Sequence, residues 1–310
     1  ARHLSFNTYD KEGQPVDRLN DLMIAPDPGA TNPFHPGAQR QGTQRSYQVR
    51  IEARDVVAGK AVDEATRARN TLYAPGDGSP VQLWLRIYVP DSGRDAKGGV
   101  ALPEPRVTLA DGRTLEGEAL CNTVVVKEGA LRDVRLPADV LREISALPGK
   151  SPYQPAQQPP IWTAFFNPAL SATNSLIGTA YEGVRQRMDV TRRGGFYSTL
   201  DNTYMSSYVD ARDVLVLRGK APTTPRTMAG TAVMEPADLR YWSICKYRSL
   251  ADTAVDDCLF DEQVPRAGDG QYTIVVSHPA KRPANARAEC GVAWLPWGAG
   301  DGIGPSRAAG

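Results

Sequence analysis

The sequence predicts a mainly β protein. We expect an antiparallel β-sandwich or jelly-roll-like fold, built as one body or as two packed units, with one or two short helices. Two observations favour it: runs of alternating apolar and polar residues recur at irregular intervals, and 25 prolines and 28 glycines interrupt them. A doubly wound α/β sheet is disfavoured, because it needs regular helical crossovers between its strands.

Length, composition and charge exclude some classes of protein. The 310 residues are 41% hydrophobic and 23% charged, as in ordinary globular proteins, and the formal net charge is +1. A near-neutral chain lacks the basic surface that nucleic acid requires, so we expect no nucleic-acid partner. No apolar run approaches the roughly 20 residues of a membrane-spanning helix, so we expect no transmembrane segment.

The stretch 237–283 carries the strongest β signals. Aromatic and β-branched residues mark one strand in 238–245 and another in 270–277. Cys245 and Cys258 lie on the connection between them, close enough in sequence to join it as a local disulfide.

The four cysteines bear on the compartment. We predict two disulfides, Cys245–Cys258 and Cys121–Cys290, in a secreted or periplasmic protein whose signal peptide has been removed. The alternative is four buried thiols in a reducing compartment.

The same sequence patterns predict the elements in the remaining segments. Residues 1–46 look irregular apart from a short strand near 20–25, whereas 47–52 alternates with Tyr47, Val49 and Ile51 pointing inward, as expected of a half-exposed antiparallel strand. Further strands are predicted at 81–89 and 214–220, a helix at 137–147 and a Pro-rich linker at 151–160. We therefore divide the chain into residues 1–150 and 151–310, or treat it as one continuous domain.

The strand at 81–89 has two distinct faces. Leu83, Leu85 and Ile87 form an apolar face that we expect to be buried. Trp84, Arg86 and Tyr88 lie on the other face. These three are interpreted either as a stacking platform for a sugar or as a second packed layer in which Arg86 pairs with a carboxylate.

Motifs that identify enzymes are missing. The sequence contains no Gly-x-Ser-x-Gly elbow, phosphate-binding loop or dinucleotide fingerprint. His3, His35 and His278 are far apart, so we expect them to cap or lie on the surface, and we predict no metal site. Aspartates in the turns near 91–95 and 110–113 are consistent with calcium or with ordinary turn chemistry, and no cofactor is predicted.

A ligand site is predicted on the loop rim of the second half. Gly194-Gly195 lets the following loop approach a ligand closely, and strands carry two arginines toward the same rim. The alternative is that Asp201 caps a turn and both arginines bind loop carbonyls. The five predicted site residues are Asp201, Asn202, Tyr204, Arg218 and Arg240.

Five short segments resemble a group of exported bacterial proteins that has no assigned activity. The segments are DPGATNPF at 27–34, LRIYVPD at 85–91, RGKAPTTP at 218–225, LRYWS at 239–243 and RPAN at 282–285. The resemblance spans most of the chain and implies export and a bacterial envelope setting. It implies nothing about chemistry.

Two functions remain open from sequence. One is a binding protein for a carbohydrate, lipid-derived or polymeric ligand of the envelope or extracellular space. The other is a secreted hydrolase or lyase that uses loop carboxylates with arginine or tyrosine. The sequence leaves undecided whether the protein is an enzyme.

Overall fold

The computed structural model of the chain describes residues 1–11, 13–56, 58, 60, 62–123, 162–164, 197–206, 214–247 and 255–297. Within these ranges strands dominate, which confirms the mainly β prediction, whereas the sandwich arrangement stays a prediction. The strands are β1 (His3–Tyr9), β2 (Pro15–Asn20), β3 (Arg50–Arg54), β4 (Thr71–Pro75), β5 (Gln82–Tyr88), β6 (Arg106–Thr108), β7 (Thr114–Glu116), β8 (Thr163–Ala164), β9 (Met205–Ser206), β10 (Val214–Lys220), β11 (Ser243–Tyr247), β12 (Val255–Phe260), β13 (Gln271–Ser277) and β14 (Ala293–Pro296). The helical elements are α1 (Gly117–Thr123) and four 3₁₀ turns, Glu64–Thr66, Asp261–Gln263, Pro279–Lys281 and Ala288–Cys290.

The first sheet has the strand order β2-β1-β5 and is antiparallel throughout. One of its faces is apolar, because alternate residues of each strand point the same way. Phe6 and Leu19 on this face are buried together with Ile24 and with Leu72 of β4. These side chains form the first hydrophobic core.

The opposite face of the first sheet is polar and aromatic, and we call it the polar face. Four of its residues, all in β1, are buried although each carries a polar group: His3, Ser5, Asn7 and Tyr9. The register of the sheet adds Asn20 and Arg18 of β2 opposite Ser5 and Asn7. It also adds the residues of β5 that lie opposite β1, namely Gln82, Trp84, Arg86 and Tyr88.

The second sheet has the strand order β10-β13-β14 and holds the second core. β13 pairs antiparallel with β10 and parallel with β14. Ile274 and Leu295 are 0% and 2% exposed and pack with Val264, Val276 and Ala293. The strands predicted at 214–220 and 270–277 are therefore confirmed.

The cysteine pair Cys245–Cys258 is a disulfide, as predicted, but it links a different pair of strands. The two cysteines lie directly opposite each other in the hairpin of β11 and β12, with their Cα atoms 4.1 Å apart. Sequence reasoning places residues 255–260 in the connecting loop. The two aspartates of this segment lower its β propensity, but pairing with β11 outweighs that effect in the structure.

Breaking this disulfide is expected to lower the free energy of unfolding by about 3 kcal/mol, because the cysteines are 13 positions apart and the open chain regains the entropy of that loop. The measurement is the urea midpoint of a Cys245→Ser/Cys258→Ser double variant. The parent protein in reducing agent serves as an independent route to the same state. Equal midpoints for parent and variant would contradict the prediction.

The second predicted disulfide is wrong. Cys121 and Cys290 are both free thiols with exposed side chains, one in α1 and one in a 3₁₀ turn. A single disulfide therefore remains within the described residues.

Several strand predictions in the first half need correction. Residues 1–46 are not irregular, since β1 and β2 lie there, and β2 ends at Asn20 where a strand was predicted to begin. Tyr47 and Val49 pack against the first core as expected. Ile51, however, is 47% exposed, and β3 pairs parallel with β4 rather than antiparallel.

The apolar residues of β5 are less buried than predicted. Leu83 is 45% exposed, whereas Leu85 and Ile87 are half-buried. The reason is that β5 is an edge strand, and β4 covers the apolar face chiefly beneath β1 and β2.

The predicted helix 137–147 and linker 151–160 lie outside the described residues, and the division at residue 150 stays a prediction. Within the described ranges, no helix is both long and apolar enough to cross a bilayer.

Candidate functional site

Two of the five predicted site residues meet at the polar face. Asp201 and Arg240 both belong to a cluster centred on His3, which the sequence interpretation left in an irregular arm. Asn202 and Tyr204 are half-buried in the segment after Asp201. Arg218 is exposed on β10 of the second sheet, and it forms no ion pair within the described residues.

His3 lies between two carboxylates. Its Nδ1 is 3.3 Å from Oδ2 of Asp21, and its Nε2 is 3.7 Å from Oδ2 of Asp201. Asp21 lies just past the end of β2 and also accepts the Leu4 backbone N–H and an Arg240 Nη2–H at 3.1 Å. Both ring nitrogens of the imidazole therefore face negative charge.

These contacts set the charge of His3. Burial acts to lower its pKa, but hydrogen bonds and attraction from Asp201 and Asp21 outweigh burial and raise the pKa to about 9. The imidazole is consequently a fixed cation at neutral pH. A histidine in this state is a poor general base.

Asp201 is held by neutral and positive partners. Its carboxylate accepts a bond from Asn20 Nδ2 at 2.7 Å and pairs with Arg18 Nε at 3.0 Å. Burial acts to raise the pKa of Asp201, but these groups and His3 lower it overall. Asp201 thus stays ionised and anchors the segment that crosses the polar face, where Thr199 also donates to Asn7 Oδ1.

An aromatic row joins the His3 cluster to the rest of the polar face. The Tyr88 ring stacks on His3 with centroids 5.7 Å apart and on Tyr241 at 5.3 Å. The Tyr88 hydroxyl accepts a bond from Arg86 Nη1 at 3.0 Å. One side chain therefore contacts both the cationic histidine and the arginine.

Arg86 has neutral partners, and not the carboxylate that one of the two sequence interpretations gave it. Its Nε and Nη2 donate to the Tyr9 hydroxyl at 3.0 and 2.7 Å, and Nη2 also donates to the Tyr197 carbonyl. Burial raises the pKa of Tyr9, although Arg86 opposes this. Tyr9 is thus kept as a protonated phenol.

Trp84 and Tyr197 form a stacked pair at the edge of the polar face. Their rings are 4.5 Å apart with an interplanar angle of 12°, and Gln82 bonds to the Tyr197 hydroxyl through Nε2 and to the Trp84 Nε1–H through Oε1. Tyr197 has a φ of 55°, a left-handed conformation that is uncommon for a tyrosine. Its ring lies against Gly13, where a Cβ atom would be only 3.1 Å away. The protein's own tyrosine therefore covers one face of Trp84.

Sequence reasoning missed His3, Asp21 and the whole of β1 as site elements. The available signal was the alternation in 3–9, where Leu4 and Phe6 alternate with polar residues. Such an alternation predicts that the polar residues are exposed, because histidine, serine and asparagine are seldom fully buried.

Metal ligation has no support in the described ranges, where no group of three or more His, Cys, Asp or Glu side chains is arranged to hold an ion. Two of the turn aspartates bind their own loops: Asp95 accepts the Lys97 and Gly99 N–H groups, and Asp111 accepts that of Arg113. Asp91 pairs instead with Arg40 and the N-terminal amine.

Comparison of the chain with protein-family models, curated protein sequences and solved structures finds no match.

Proposed function

We propose that this is an exported binding protein that holds a carbohydrate, or a polymer built from sugars, against the polar face. The observation that carries the proposal is the position of Trp84. This indole is 36% exposed, and it lies in a row of hydrogen-bonding side chains on β5 between Gln82 and Arg86. Sugar sites combine an aromatic surface with a few fixed polar groups in this way.

Binding is favoured over hydrolysis or elimination by the state of the ionisable groups. His3 is held as a cation, and Asp21 and Asp201 are both engaged in ion pairs. General acid–base catalysis needs a group whose pKa lies near the working pH and that can exchange a proton with substrate. The rigid ion pairs are better suited to fixing the shape of a surface.

Export is supported by the disulfide. Cys245–Cys258 fits an oxidising compartment, because cytosolic thiols are normally kept reduced. A polysaccharide of the cell envelope or its surroundings is the ligand class found in such compartments.

Trp84→Ala is expected to weaken binding to a glycan ligand at least tenfold, since the ligand loses its contact with the exposed part of the indole, and a ring packed against an aromatic side chain contributes on the order of 1–3 kcal/mol. A glycan array would identify ligands for the parent protein, and calorimetry would compare the variants. Trp294→Ala is the matched control, because Trp294 is likewise an indole with a hydrogen bond through Nε1 and an arginine over its ring, but it lies in the second sheet.

Two results would oppose the proposal. Equal losses of affinity in both tryptophan variants would assign the effect to general destabilisation. Release of new reducing ends or unsaturated sugars from a bound glycan would favour the hydrolase or lyase instead.

A further inference from the structure

Arg86 differs from the other sheltered arginines of the protein. Within the described residues, every other buried or half-buried arginine pairs with a carboxylate; these are Arg2, Arg18, Arg40, Arg67 and Arg240. Arg86 contacts only phenol hydroxyls, one carbonyl and the faces of two aromatic rings. A sheltered charge without a counter-charge is costly, so an isolated cation at this place needs an explanation.

The neighbouring ion pairs have no spare carboxylate for Arg86. The network beside it contains four cations and four carboxylates, joined in a continuous chain of contacts: His3, Arg18, Arg67 and Arg240 with Asp17, Asp21, Glu64 and Asp201. Each negative charge in it is already balanced. Among the described residues, the positive charge of Arg86 is therefore left without a counter-charge at the polar face.

Two hydrogen-bond donors also lack acceptors at this point. Arg86 has five N–H groups and makes four bonds, so one N–H on Nη1 is unused within the described part of the chain. The Tyr88 hydroxyl accepts from that same Nη1 at 3.0 Å, and its own O–H has no acceptor there either. Two adjacent donors on a cationic centre are the arrangement that an oxyanion requires.

We propose that the ligand is an acidic polysaccharide and that the carboxylate of one uronic acid residue binds to Arg86 Nη1 and the Tyr88 hydroxyl. This inference rests on the proposed function and specifies its ligand class. Trp84 places an indole next to the guanidinium, with the Arg86 Cζ atom 5.3 Å from the indole centroid. A sugar ring in contact with the exposed part of Trp84 then lies beside the guanidinium, with its carboxylate directed toward Arg86 Nη1.

A carboxylate fits the site better than a phosphate. One uncompensated cation and two free donors match a group with one negative charge and two oxygens. A phosphate carries more charge and a third oxygen, and proteins commonly bind it with several cations or a row of backbone N–H groups. The polar face offers a single unpaired arginine.

The test uses acidic polysaccharides paired with neutral forms of the same polymer. Polygalacturonate, alginate and hyaluronan are each compared with their carboxyl-esterified forms by calorimetry on the full chain. We expect at least one acid form to bind tenfold or more tightly than its ester, with affinity that falls as salt is raised. Tyr88→Phe keeps the ring that stacks on His3 but removes one of the two donors, so it should reduce this preference several-fold while the charge of Arg86 retains part of it.

Tyr272→Phe is the matched control, because it removes a tyrosine hydroxyl from β13 of the second sheet. It should retain the preference for the acid. If esters bind as tightly as acids, or Tyr88→Phe keeps the full preference of the parent, the inference is overturned while the proposed function stands. If none of the polymers binds in either form, the inference is overturned, and a glycan array that finds no ligand would overturn the proposed function as well.

Discussion

Replacing Arg2 with methionine is expected to lower the free energy of unfolding by about 3–5 kcal/mol, the largest effect of any single change considered for this protein. Arg2 is fully buried, and its guanidinium is 2.7 Å from Asp261, which is buried as well. It also bonds to Glu262, to Thr227 Oγ1 and to the Arg240 carbonyl. The variant leaves the Asp261 carboxylate inside the protein without its cation.

The position of these partners explains why the loss should be so large. The Arg2 backbone N–H bonds to the carbonyls of Tyr88 and Val89 at the first sheet, whereas the partners of its side chain lie in residues 227–262. One side chain therefore connects the first sheet to the second half of the chain. Loss of its bonds removes both a counter-charge and a structural link.

A double-mutant cycle measures this prediction by urea denaturation. Asp261→Asn in the Arg2→Met background removes the orphaned charge, so the double variant should be more stable than the sum of the two single losses predicts. Arg226→Met is the control, since Arg226 forms an exposed pair with Glu235 and should leave the midpoint unchanged. Strict additivity of the Arg2 and Asp261 variants would contradict the role of the pair.

Stability is expected to fall as the pH rises through about 9, because of His3. Its pKa is raised from an ordinary 6.5 to about 9 in the folded protein, so the folded state binds the proton more tightly than the unfolded state. Such a group contributes its full stabilisation below pH 6.5 and loses it progressively up to the folded pKa. A shift of this size corresponds to about 3 kcal/mol.

The measurement is the free energy of unfolding between pH 6 and 10 for the parent and for His3→Gln. The variant should be less stable at pH 6 and should show a much flatter profile between pH 6.5 and 9. His278→Gln removes an exposed histidine and should keep the profile of the parent. An identical slope in the parent and in His3→Gln would show that Asp21 and Asp201 do not hold a proton on His3.

The mainly β class is predictable from sequence because it depends on local patterns. The apolar run at the start of 214–220 and the aromatic and β-branched residues of 270–277 are properties of neighbouring residues, and both strands form there. The disulfide Cys245–Cys258 is predictable for a similar reason, since its members are close along the chain. Pairings between distant segments are harder, and the proposed Cys121–Cys290 bond fails because nothing local constrains two cysteines so far apart.

The candidate site is harder still to predict, because it is built from segments that are distant along the chain. Sequence reasoning selects Asp201 and Arg240 as polar residues near strand ends, but Asp201 contacts His3 and Arg240 contacts Asp21, each about two hundred positions away along the chain. The sequence by itself determines that β1 and β5 each have one apolar and one polar face. Only the tertiary structure decides that these polar faces adjoin, that Tyr197 covers one face of Trp84, and that Arg86 has no carboxylate partner within the described ranges. The physical reason is that charge balance depends on distances across the folded chain, which residue spacing does not encode.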